Sequence, residues 1–209
     1  MTDSSIHLYE GDLPDGFSLD SDSLAIDTET MGLVHGRDRL CLVQLSGGDG
    51  LAHLIKIAQG QEGAPNLKHL IESRREPALM HFARFDLAAL LCGLDIRVPS
   101  VFCTKIASKL ARSYTDRHGL RDLCSELLSI DLSKQQQSSD WGAERLSEAQ
   151  LTYAASDVLY LHALSEQLTA MLHREERWHL AQAHFDFLPT RALMDLQGWE
   201  RRDLLTHAG

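Results

Sequence analysis

Long apolar runs are missing from this sequence. The longest near-apolar stretch, Leu87 to Leu94, is eight residues, far short of the ~20 that a bilayer-spanning helix needs. The first residues, Met1-Thr2-Asp3-Ser4, lack both the basic and the apolar stretch of a secretory signal. Cysteine is sparse and unpatterned: Cys41, Cys92, Cys103 and Cys124 form no C-x-x-C pair. That leaves structural zinc unsupported and suits packed free thiols in a reducing compartment. A cytoplasmic protein with no membrane partner is expected. Positive charge and aromatics are also scarce, with 20 Lys and Arg against 30 Asp and Glu, a net charge of −10, and 6% Phe, Trp and Tyr. This balance excludes a non-specific binder of long nucleic acids, which needs many cations for phosphates and aromatics for stacking. It leaves room for a nuclease that grips a short substrate through bound cations, which can be the largest local charges in a site.

What is present is globular. Hydrophobic residues make up 44% and charged residues 24% of 209, and a domain of this size buries about 70% of the surface of its unfolded chain. No repeat, low-complexity tract or charge block marks a linker. Residues 1–22 read as a polar lead-in and 23–174 as the main domain. Strand-like segments fall at Leu24–Thr28, Leu40–Leu45, Leu51–Ile55, Ala78–Phe82 and Val98–Cys103. Short helices are expected over Asn66–Ser73, Phe85–Cys92 (ending before Gly93), Thr104–Ser113 and Leu120–Leu128. The clearest helix opens at Ser147, where Ser147-Glu148-Ala149-Gln150 fits a capping box, and its apolar period runs to about Leu172. Residues 175–209 form a helical tail with a break expected at Pro189. Strands mixed with helices in this order give an α/β pattern with a mixed sheet.

Acids recur at structurally telling places. Asp27 and Glu29 lie two apart at the end of the first strand, so their carboxylates share one face. Tyr153 and Asp157 lie four apart on the strongest helix, again on one face. Asp86 closes His81-Phe82-Ala83-Arg84-Phe85-Asp86, where a buried strand turns into a helix. Each taken alone has an ordinary structural explanation: solvated acids at a strand end, a Tyr–Asp hydrogen bond, an acid complementing a helix dipole.

Together, I-D-T-E-T, H-F-A-R-F-D and Y-A-A-S-D-V-L-Y-L resemble the three motifs of the DEDD 3′–5′ exonuclease superfamily. Tyr153 places the resemblance in the DEDDy branch, with ribonuclease D and polymerase proofreading domains, and it covers about residues 20–172. The resemblance implies a ribonuclease H-like fold, a mixed five-stranded sheet flanked by helices. It also implies hydrolysis of phosphodiesters with two divalent metal ions, Mg²⁺ or Mn²⁺. Asp27 would bridge the metals, Glu29 and Asp157 would complete the nucleophile side, Asp86 would support the second metal, and Tyr153 would orient the attacking water. Carboxylate oxygens suit such hard cations.

Several features point to a short substrate. The 52 residues after Asp157 are too few for the extra helical domains that ribonuclease D carries. Thr30-Met31-Gly32-Leu33 resembles the T-G-L segment of oligoribonuclease, whose leucine wedges between two bases; Leu33 could equally be a loop leucine packing down. With Ser139-Asp140-Trp141, the chain looks like the nanoRNase C group of alphaproteobacteria, which implies cleavage of linear dinucleotides such as pGpG and assembly into a homo-octameric ring. Lys134, Gln137 and Ser139 are candidates to cap a 5′ phosphate, or else form a solvated polar loop. Thr28, His81 and Arg84 are further candidates for substrate contact, although His81 also fits a structural histidine. The competing readings are a ribonuclease D-like trimmer of longer RNA, a DNA exonuclease, and an inactive module binding nucleic acid or protein.

Overall fold

A computed structural model describes residues 5–133, 136, 138–200, 204, 206 and 207. Six strands form one mixed sheet: β1 (Ile6–Glu10), β2 (Leu24–Thr30), β3 (Leu40–Ser46), β4 (Ala52–Lys56), β5 (Ala78–Met80) and β6 (Val101–Cys103), in the order β1-β4-β3-β2-β5-β6. β2, β3 and β4 are antiparallel neighbours, while β5 and β6 run parallel to β2, and β1 runs parallel to β4. The helices are α1 (Pro65–Glu72), α2 (Arg84–Leu94), α3 (Thr104–Ala111), α4 (Leu120–Leu128), α5 (Glu148–Leu159), α6 (Leu161–Arg174) and α7 (Trp178–Met194).

β3 is buried along its whole length, so its alternating side chains feed two different cores. Val43 and Leu45 join Ile26, Ile55 and the helices α2, α3, α6 and α7 in the main core. Cys41 and Leu42 join Leu54, Trp141 and Ala154 in a small cluster under α5. The sheet is thus sandwiched, with α5 on one face and α2 on the other.

The structure corrects the sequence expectations in four places. The sheet has six strands, not five, because the supposed lead-in supplies β1. That edge strand is only partly buried, with Ile6 and Tyr9 packing on the core, so its hydrophobic alternation is faint. Gly93 does not end α2; the helix runs through it to Leu94, and a Cβ there would press on Leu40. The long helix from Ser147 is two helices, interrupted at Tyr160 (φ −105°, ψ −3°). Leu161, Leu164, Leu168 and Leu172 resume the buried stripe in register, which is why the apolar period looked continuous. Pro189 lies inside α7 rather than breaking it. The lost backbone hydrogen bond is offset by burial of Ala181, Phe185, Leu188 and Ala192, and Phe185 meets Phe102 at 4.8 Å between ring centroids. This tail helix is therefore part of the main core. Among the described residues, no helix is long and apolar enough to cross a membrane.

Candidate active site

The parallel strands β2, β5 and β6 end at the same edge of the sheet, the usual place for ligands in open α/β sheets. There a cavity of about 300 Å³ is lined by Asp27, Thr28 and Glu29 from β2, His81 and Phe82 after β5, and Phe85 and Asp86 from α2. Lys105 from α3, Gly119, Leu120 and Arg121 at α4, Leu132 and Ser133, and Tyr153 and Asp157 from α5 complete its wall.

Asp27 and Glu29 face α5. One carboxylate oxygen from each of Asp27, Glu29 and Asp157 lies within 4.8 Å of the others. Thr28, between them, faces the opposite side, and its hydroxyl donates to Asp86 Oδ1 at 2.7 Å in a buried contact. Asp86 is therefore fixed from the α2 side, and the four acids wrap around the end of β2.

Helix α5 is set by its own start. The expected capping box is present: Ser147 Oγ accepts from the Gln150 N–H at 3.2 Å, and Gln150 Oε1 accepts from the Ser147 N–H at 2.9 Å. Such a cap is worth about 1 kcal/mol. The Gln150 amide also donates to Ser139 Oγ and to the Asp140 carbonyl, which ties the Ser139-Asp140-Trp141 segment to the helix. Trp141 is buried and its ring lies 6.1 Å from that of Tyr153, so the same segment supports the tyrosine.

Electrostatics mark the cluster as incomplete without positive charge. Burial, helped by Asp27, Asp157 and Asp86, pushes Glu29 up to about 10. Burial raises Asp27 to about 7 against a backbone hydrogen bond from Thr28 that lowers it. Asp86 and Asp157 are raised by burial and then by Asp27, and the Tyr153 hydroxyl donating to Asp157 opposes this. Burial and the neighbouring carboxylates push Tyr153 far above the ordinary tyrosine value, so it stays a neutral donor. Three converging carboxylates that cannot all ionise unaided are the donor set a hard divalent cation fits.

Gln44 reinforces that fit. It is the cross-strand partner of Asp27, is fully buried, and neither amide atom has a hydrogen-bond partner among the described residues.

The remaining sequence candidates divide. His81 Nδ1 lies 2.9 Å from Thr104 Oγ1, whose proton goes to the Met80 carbonyl. That assigns Nδ1–H to His81. Burial, with Lys105 nearby, holds it down to about 3, so it joins β5 to α3 as a neutral ring at the cavity wall. Arg84 is turned away from the cavity: its Nη2 donates to Asp195 Oδ1 at 2.8 Å and to the Glu200 carbonyl at 3.0 Å, clamping α2 to the segment after α7. Arg84 thus lies outside the cavity lining, with its guanidinium paired to Asp195. Ser139 is tied to Gln150, as described, and lies outside the cavity lining. Lys134 and Gln137 lie outside the described residues. Leu33 is 82% exposed on a loop braced by Asp38, which accepts from the Val34 N–H at 3.0 Å. A Cβ at Gly32 would run into that same carboxylate, so a larger residue there would displace Asp38. Packing down within this chain is thus not what Leu33 does.

Sequence reasoning missed Lys105 and Arg121, the cations that line an otherwise acidic cavity. Lys105 was findable, since it lies two residues past β6 at the strand-end edge. Arg121 carries no comparable signal.

Asp27 and Glu29 of β2, Asp86 of α2, and Tyr153 and Asp157 of α5 thus line one cavity at the carboxyl ends of these strands. The chain belongs to the 3′-5′ exonuclease family, which matches residues 17–173. Ribonuclease D of Gluconacetobacter diazotrophicus is 34% identical over 154 residues, 74% of this chain and 39% of that protein. DNA polymerase I of Aquifex aeolicus is 40% identical over 149 residues, 71% of this chain and 24% of that protein. The chain spans only about two fifths, or less, of these curated relatives. Among solved structures, Brucella melitensis NrnC with bound Mg²⁺ is 52% identical at a TM-score of 0.93, covering 98% of this chain and 100% of that one. Brucella melitensis NrnC bound to pGG is 53% identical at a TM-score of 0.94, covering 98% and 99%.

Proposed function

We propose that the chain is a metal-dependent 3′–5′ exoribonuclease of short RNA, cleaving linear dinucleotides to nucleoside monophosphates. The observation that carries the chemistry is the trio Asp27, Glu29 and Asp157, with oxygens within 4.8 Å of one another at the floor of the cavity. Two divalent ions, Mg²⁺ or Mn²⁺, would supply a hydroxide near neutral pH and neutralise charge on the attacking and leaving oxygens. Asp27, Glu29 and Asp157 would hold them, with Asp86 supporting the second. Tyr153, a neutral donor to Asp157 in the metal-free site, would orient the attacking water. Lys105 and Arg121 face the substrate phosphates across the cavity.

Substrate length rests on three supports. The cavity is at the small end for ligand clefts. Leu33 stands free on a braced loop, as a wedge between two bases requires. The NrnC structure bound to pGG resembles this chain over 98% of its length. A 5′-phosphate cap by Lys134, Gln137 and Ser139 belongs to this reading, as does assembly into a homo-oligomer, octameric by resemblance. Leu180 and Phe187, exposed on α7, suit a subunit interface. A cytoplasmic setting fits the four free cysteines.

A length series of 5′-labelled RNAs, starting at the dinucleotide, tests this with Mg²⁺ and Mn²⁺. Far faster cleavage of the dinucleotide supports the reading. Similar rates on long RNA would make the chain a ribonuclease D-like trimmer, preference for DNA a DNA exonuclease, and no cleavage an inactive binding module.

A further inference from the structure

Phe82 occupies a conformation its side chain disfavours. It sits in the turn between β5 and α2 with φ +63°, the left-handed region where a bulky residue is an outlier and Asn or Gly settles easily. No burial compensates: the residue is 46% exposed, on the wall of the catalytic cavity.

The surroundings nevertheless hold it there. The Phe82 carbonyl accepts from the Phe85 N–H at 3.0 Å. Beneath the turn, the buried Cys103 at the end of β6 pairs with Met80 at the end of β5. The parallel pairing of these strands thus sets the turn that carries Phe82 beside the start of α3 that carries Lys105. Above it, Lys105 Nζ lies 4.4 Å from the Phe82 ring centroid, and Lys105 lines the same cavity. Backbone strain kept at a functional wall, with the side chain delivered to the ligand space, is the pattern of a preorganised ligand contact.

We propose that Phe82 is the stacking platform for a nucleobase of the bound RNA end, with Lys105 on its ring placed to meet the adjoining phosphate. Nearly half the residue remains open with the ammonium in place, which leaves ring surface for a base. A phenyl ring accepts any base, because every base has a π-face, so the platform adds affinity without choosing sequence. This rests on the nuclease reading above and deepens it by naming the base contact.

Phe82→Asn separates function from structure, because Asn tolerates the left-handed turn. Its melting temperature, measured in EDTA, should equal or exceed that of the unsubstituted protein. Its KM for a 5′-phosphorylated dinucleotide should rise about tenfold, with a smaller change in kcat. Phe82→Tyr should keep KM. A dinucleotide analogue lacking one base should lose the difference between the proteins when the missing base is the stacked one. Binding of the intact dinucleotide in Ca²⁺ reads the same comparison whether or not the chain cleaves it. If the unsubstituted protein cleaves no RNA, the nuclease reading fails while the binding comparison still tests the platform. Unchanged KM and binding in Phe82→Asn would overturn the platform alone. So would a rise that persists undiminished on both base-deleted analogues.

Discussion

Arg112 is fully shielded from water and Glu29 partly so, with opposite outcomes. The Arg112 side chain is fully buried between α3 and α4, and it is answered on several sides. Its guanidinium ion-pairs with Glu126 and donates to Ser108 Oγ at 3.1 Å and the Arg117 carbonyl at 2.8 Å. Glu29 is surrounded instead by Asp27, Asp157 and Asp86, all of its own sign, and none of the four acids is ion-paired to a described residue. The first arrangement is closed and holds the turn after α3; the second is completed only by something from outside. Buried charge left unanswered by the fold, in a cleft, is where chemistry is to be sought.

Asp27→Asn should have the largest effect. If the cluster holds catalytic cations, the substitution should cost about 4 kcal/mol of transition-state stabilisation, about a thousandfold in kcat/KM. In EDTA at pH 8 the same protein should melt no lower than the parent, because a like charge has been removed. Steady-state rates and thermal melts check both halves.

Arg112→Met should do the reverse. Removing one partner of a buried pair destabilises by about 3 kcal/mol, while the rate per folded molecule stays near that of the parent. Urea unfolding alongside active-site-normalised rates reads this. Next, Tyr153→Phe should lower kcat about a hundredfold with little change in melting, since the ring keeps its packing on Trp141.

The acid set was legible in the sequence because its chemistry demands particular side chains at strand and helix positions that motif spacing records. The capping box at Ser147 was legible for the same reason, being local. β1 was not, because an edge strand with one partner shows little alternation. The interruption at Tyr160 was hidden by a leucine stripe that resumes in register. Arg84 looked available because nothing local reveals Asp195, 111 residues away along the chain. Lys105 and Phe82 meet only through the parallel pairing of β5 and β6, so their partnership is a product of topology.

The pH dependence sharpens the contrast further, with a smaller effect. In the metal-free protein the folded state raises Asp27 to about 7 and Glu29 to about 10, against about 4 in the unfolded chain. The folded state therefore binds more protons between those values. The contribution of these groups to stability is full below pH about 4 and is lost as pH rises through about 7 and then about 10. Saturating Mg²⁺ should flatten that decline, which melts across pH with and without EDTA would show. Smallest of all, Gln44→Leu removes a buried amide without partners and should raise metal-free stability by about 1 kcal/mol. It should weaken metal binding if the amide steadies Asp27.

On this reading the acidic cluster holds protons until a divalent cation replaces them. Titration calorimetry of Mn²⁺ into the metal-free protein at pH 7.5, in buffers of differing ionisation enthalpy, counts those protons directly. About one proton or more released per chain, and fewer from Glu29→Gln, is the expected result. Tight binding with no proton release, or no binding at all, would contradict the account.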